Sequence, residues 1–140
     1  MAMAEKKLLI GRQEVIDLPA FGMFGVEAKI DTGAYTSSIH CSKLSVQMVE
    51  GTPTLIFQLE GVDRQFNTTE FEKKKIRSSN GSEQERYVIS TEMVMFAKKF
   101  KAELSLTDRG KMKFPVLIGR KVLSGRFVVD VSEKNVSLKR

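Results

Sequence analysis

The chain is poor in the residues that define several protein classes. Among 140 residues it has one cysteine, one histidine, three prolines and no tryptophan. A single thiol, Cys41, closes no intrachain disulfide. That argues against a disulfide-stapled secreted scaffold and makes a reducing cytoplasm the expected compartment. One histidine and one cysteine cannot furnish a Cys/His zinc set within one chain, so no metal site is expected. His40 and Cys41 are neighbours, and neighbours on a strand point to opposite faces, so they neither share a metal nor pair as a Cys–His nucleophile. The pair reads instead as partly buried polar residues near a turn. No apolar run approaches the ~18 residues of a membrane helix, and Met1 to Lys7 carry charges with no apolar stretch behind them, so neither a span nor a signal peptide is read. A Gly-x-x-x-x-Gly-Lys-Ser/Thr phosphate loop, a Rossmann fingerprint and a Gly-x-Ser-x-Gly elbow are all missing, so no cofactor is expected.

What is present fits one domain, residues 1–140, at a length typical of single domains. Hydrophobic residues make 41% and charged residues 29%, too apolar for a disordered chain. Charge is unevenly spread: residues 1–63 carry a net −3 and residues 64–140 a net +9. A basic half favours an anionic partner, whether nucleic acid, an acidic peptide or a phosphorylated ligand, and charge sign alone does not choose among them.

The pattern is mostly β. Leu55, Phe57 and Leu59 alternate with Thr54, Ile56 and Gln58; Leu104 and Leu106 alternate with Glu103, Ser105 and Thr107; Phe127, Val129 and Val131 alternate with Arg126, Val128 and Asp130. A period of two suits half-buried strands. Asn80-Gly81 signals a hairpin. A two-residue loop there sets Lys75 opposite Arg86, and a three-residue loop sets Arg77 opposite Glu85, the better pairing electrostatically. Helix is scarce: Arg120 to Ser124, closed by Gly125, is the expected piece, with a further turn between Ser37 and Leu44. Phe96-Ala97-Lys98-Lys99-Phe100-Lys101 is basic and aromatic, and is read with both rings toward a core and the lysines in water.

One motif carries chemistry: Ile30-Asp31-Thr32-Gly33-Ala34, followed by Thr36-Ser37-Ser38. It offers an acid at a strand end, a hydroxyl to orient it and a glycine that permits close backbone approach. Far along the chain, Phe114-Pro115-Val116-Leu117-Ile118-Gly119-Arg120 is an apolar strand ending in glycine and running into the short helix. Together these segments resemble the half-domain of retroviral-type aspartic proteases. The nearer resemblance is to the bacterial retropepsin-like family that bears the name ATP-dependent zinc protease and is associated with the RimK glutamate ligase. The matching blocks run in order from Ile10-Gly11-Arg12, through Ala28 to His40, Ile76 to Gly81 with Glu85-Arg86, and Leu106-Thr107-Asp108-Arg109, to Phe114 to Phe127. Tyr35 departs from the basic residue expected there. Neither an ATP loop nor a zinc-ligand set supports the family's inherited label.

The resemblance implies an all-β, retropepsin-like acid-protease barrel, closed or half-open, with one short C-terminal helix. It implies that Asp31 activates water at a dyad formed with its symmetry mate, in a homodimer, with Thr32 and Gly33 shaping the loop. Two close carboxylates hold one proton between them, one acting as base while the other polarises the scissile carbonyl. A monomeric variant of that reading pairs Asp31 with His40. The association with a glutamate ligase implies acidic or polyglutamylated substrates, and Arg77, Arg86, Arg109 and Arg120 lie within the matched blocks, with the hairpin pair Arg77 and Arg86 preferred as carboxylate contacts. The alternative is a non-catalytic binding module for acidic peptides on the same fold. Nucleic-acid binding ranks below both, because it rests on net charge alone.

Overall fold

Period-two alternation becomes alternating burial. A computed structural model of the protein describes residues 6–77, 80–108 and 113–139. Eleven strands are described: β1 (Leu8–Ile10), β2 (Gln13–Leu18), β3 (Met23–Ile30), β4 (Ser37–Val49), β5 (Thr52–Leu59), β6 (Gln65–Thr68), β7 (Glu72–Arg77), β8 (Glu83–Met95), β9 (Lys98–Thr107), β10 (Val116–Ile118) and β11 (Phe127–Val129). Helix is confined to α1 (Arg120–Leu123) and two 3₁₀ turns, Pro19–Phe21 and Val136–Lys139. The mainly β class expected from the sequence, with one short helix after Gly119, is the one observed.

Pairings run β10–β3–β2–β8–β9–β4 and return to β10, so six strands form a ring. The ring is not a clean barrel, since β2 and β8 meet through one pair, Asp17 with Val94. The inner side chains of these strands, among them Ile16, Leu18, Ile39, Met93, Leu104 and Ile118, are almost wholly buried in one apolar core. Phe21, Phe57 and Phe66 extend it with ring centroids 5.0–6.1 Å apart, an aromatic cluster under the β5–β6 hairpin. Phe96 and Phe100 pack against this core while Lys98, Lys99 and Lys101 are exposed, as the basic-aromatic stretch suggested.

The structure corrects the sequence reading in four places. Ser37 to Leu44 is strand rather than turn, because β4 bonds to β9, β5 and β10 together. His40 and Cys41 accordingly sit inside a strand, both buried, not near a turn. Val131 lies beyond β11 and is 71% exposed. The hairpin has neither anticipated register: Arg77 stands opposite Glu83 and Lys75 opposite Glu85, one place from the first alternative and two from the second. That register sets two cation–anion pairs on the ladder, and Lys74, which faces Arg86, is bonded instead to Glu103.

Each end of the described chain is held to the other. β1 pairs in parallel with β11. The wholly buried Glu14 carboxylate accepts the amides of Gly11 (2.8 Å), Val136 (3.0 Å) and Ser137 (3.0 Å) and the Ser137 hydroxyl (2.8 Å). Four donors offset the cost of burying the carboxylate.

Candidate active site

Asp31 follows directly on β3, where the backbone leaves the ladder but keeps one more bond, from its amide to the Ile118 carbonyl at 2.8 Å. β10 lies between β3, to which it is parallel, and β4, to which it is antiparallel, so it bridges the two strands flanking residues 31–36. At the end of β10 the chain abuts that loop. Arg120 and Lys121 amides donate to the Ala34 and Tyr35 carbonyls at 2.8 and 2.9 Å, and the Gly119 amide donates to Ser37 Oγ at 2.9 Å. Only glycine fits at position 119, because a β-carbon would stand 2.8 Å from both the Ala34 and the Tyr35 carbonyl oxygens.

Within the loop the Gly33 amide donates to Asp31 Oδ1 at 3.0 Å. That bond fixes the carboxylate plane, and Oδ2 accepts no hydrogen bond among the described residues. Thr32 is exposed and is engaged through its carbonyl, which accepts from Arg120 Nη1 at 2.9 Å. The Arg120 guanidinium also lies 5.9 Å from the Tyr35 ring centroid. Arg120 therefore braces the loop carrying Asp31, a different place from the substrate contact anticipated for it.

The half-buried Asp31 borders a cavity of about 100 Å³ together with Thr36, Ser38, Ser105, Arg77 and Arg86. The hairpin β7–β8 lines the same cavity and contributes both arginines. Arg77 is exposed and ion-paired with Glu83 at 3.2 Å. Arg86 is half-buried and donates from Nη2 to Gln84 Oε1 at 2.5 Å. Gln84 and Arg86 also line an adjoining, larger cavity of about 640 Å³, which continues past Leu106 to Asp108. Gln84 and Arg86 thus border both cavities.

His40 is elsewhere: its Nε2 faces Glu60 Oε2 at 3.7 Å, and it lines neither cavity. Arg109 lies outside the described residues. Among the described residues no three His, Cys, Asp or Glu side chains cluster to hold a metal ion. The buried Cys41 thiol is pushed up to about 11, first by burial and then by the Asp108 charge. A thiol so held is a poor ligand and a poor nucleophile at neutral pH.

Sequence reasoning passed over Ser38 and Ser105, which are paired across β4 and β9 and line the floor of the Asp31 cavity. Their signal was faint: both are small polar residues in the phase opposite the core side chains Ile39, Leu104 and Leu106. Gln84 gave no signal, since only the observed register turns it toward these cavities.

The arrangement is an acid on a braced loop, after a strand, sharing a cavity with two arginines. A family described as retropepsin-like aspartic endopeptidase RimB matches residues 9–140 of this chain. The chain belongs to this family. Two proteins named "Probable alpha-L-glutamate ligase" are similar to it. The one from Shewanella pealeana is 33% identical over 137 residues, covering 94% of this chain and 30% of that protein. The one from Parasynechococcus marenigrum is 29% identical over 131 residues, covering 89% and 28%. The chain thus spans less than a third of the curated relatives it matches. A crystal structure of a Legionella pneumophila protein of unknown function shares the fold, with a TM-score of 0.75 at 23% identity over 94% of this chain and 99% of that one.

Proposed function

We propose that this chain is an aspartic-type peptidase in which Asp31 activates water against peptide bonds of acidic, glutamate-rich chains. The observation that carries the reading is the lining of one cavity by Asp31 and the hairpin arginines Arg77 and Arg86. Arginine's planar fork suits the carboxylates of such a substrate, and a hairpin wall can close over an extended peptide. The glutamate ligases that contain a similar segment belong to the same chemical context.

One chain brings one Asp-Thr-Gly, so the mechanism needs a second copy placing its own Asp31 across a two-fold axis. Thr32, Gly33 and Tyr35 on the same loop are exposed and so available to such a partner. The paired carboxylates then share a proton: the ionised one takes a proton from water, and the protonated one donates to the scissile carbonyl as the tetrahedral oxygen forms. Ser38 and Ser105 supply hydroxyls on the cavity floor for the peptide backbone.

The test pairs mass in solution with cleavage of a peptide bearing a poly-glutamate tail, without ATP or added metal. Wild type is expected to cleave as a dimer, and Asp31→Asn to lose about a thousand-fold or more in turnover while still binding the tail. Cleavage by Asp31→Asn at the wild-type rate would overturn the assignment. Binding without cleavage by wild type would make the chain a binding module instead.

A further inference from the structure

The basic-aromatic stretch that the active-site reading leaves unused borders a cavity of its own. Lys98 and Lys99 on β9, Arg126 and Lys6 surround about 310 Å³ over Phe100 and Phe127. The lining includes no acidic residue, and among the described residues none of these four cations is ion-paired. We infer that this cavity is an exosite that holds the distal carboxylates of an acidic tail whose proximal part lies at Asp31. The inference rests on the peptidase reading above.

Three relationships support it. β9 connects the two sites, with Ser105 in the Asp31 cavity and Lys98, Lys99 and Phe100 at the far one. From Ser105 to Lys99 is about 20 Å at ~3.3 Å per residue, the reach of roughly six extended residues of a bound tail. The segment after β10 is basic, while Glu70 and Glu72 border β9 beside Lys101 and Glu103. Residues 113–129 contain no acid, and this segment leads from Arg120, bonded to the Asp31 loop, through α1 to Arg126 at the far cavity. The acid on β9 along this path, Glu103, is already bound by Lys74 and Lys121. Finally, the rings are closed to nucleobases. Arg126 covers the Phe100 face at 4.9 Å and Phe127 is 7% exposed. Single-stranded nucleic acid needs open aromatic faces on which to stack, so the site favours peptide carboxylates over RNA.

The experiment uses the Asp31→Asn protein and measures binding of peptides with tails of roughly two, six and twelve glutamates by fluorescence anisotropy. The longer tails, those beyond the roughly six-residue reach, are expected to bind about five-fold tighter than the shortest, the gain fading at high salt. In Asp31→Asn carrying Lys98→Ser and Lys99→Ser, both exposed positions, that gain should vanish while the shortest tail binds as before and the melting temperature holds. In otherwise wild-type protein the two lysine changes should raise KM for long tails and leave kcat unchanged. A length effect that survives the lysine changes, or no length effect at all, overturns the exosite. Loss of RNA-oligomer binding with the length effect intact would make the cavity a nucleic-acid site and also overturn it. Length-dependent binding without cleavage by wild type would sink the peptidase reading and leave the exosite standing.

Discussion

Gly119 and Ala34 are in closer backbone contact than any residue with a β-carbon would allow. A β-carbon at position 119 would stand 2.8 Å from the Ala34 carbonyl oxygen, which already accepts the Arg120 amide at 2.8 Å. The end of β10 and the loop carrying Asp31 are thereby one unit, and a displacement of either moves the carboxylate.

Gly119→Ala should therefore injure both stability and chemistry. The methyl group must push back two backbone carbonyls, at an expected cost of about 2 kcal/mol in a urea titration. Cleavage of an acidic-tail peptide should fall further than tail binding, because the arginines proposed to hold the tail are on the hairpin. Unchanged turnover would show that the Asp31 loop tolerates movement.

Glu14→Gln should be among the most destabilising isosteric changes. The amide loses the charge that four donors address and turns its own NH₂ toward one or two of them. Buried hydrogen bonds to a charged acceptor are the strong kind, so an expected loss of about 3 kcal/mol should appear as a lower urea midpoint. A loss under ~0.5 kcal/mol, the range of ordinary surface changes, would deny Glu14 this role.

Cys41 should make the protein alkali-sensitive. Burial, and then the Asp108 charge, push its thiol up to about 11 from an ordinary 9.0. Between those values the unfolded chain gives up a proton that the folded chain retains. Stability from this group is full below about 9 and is lost as pH rises through about 11. The loss is on the order of 2–3 kcal/mol. Cys41→Ala should show a correspondingly flatter fall in urea midpoint from neutral pH to pH ~10.5 than wild type. Parallel curves would remove the thiol from the alkaline transition.

The site was legible where the chemistry is local. Asp31-Thr32-Gly33 and the strand ending at Gly119 each announce a tight backbone geometry, and the helix closed by Gly125 (φ 81°) follows from one residue's freedom. Two-residue turns were legible only where glycine marks them. Phe96-Ala97 joins β8 to β9 with φ values of 55° and 61°, a conformation that neither residue advertises, held because Phe96 packs into the core. Hairpin register was not legible, since Asn80-Gly81 admits several loop lengths and only the pairing of β8 with β9 settles which face Arg86 presents. Glu14 was silent because three of its four donors, on Val136 and Ser137, stand more than a hundred positions away.

The Glu14 clasp has a consequence for how long a folded molecule lasts. It joins positions 122 apart, so the loop entropy of nearly the whole chain is paid before it forms, and contacts of such separation arise late in folding. Interactions absent from the transition state govern the rate of opening and scarcely touch the rate of closing. Residues 11–14 and 136–137 thus act as a latch on escape from the native state, and a molecule with the latch cut would fold at nearly its normal speed yet unfold, and meet a protease, many times more often.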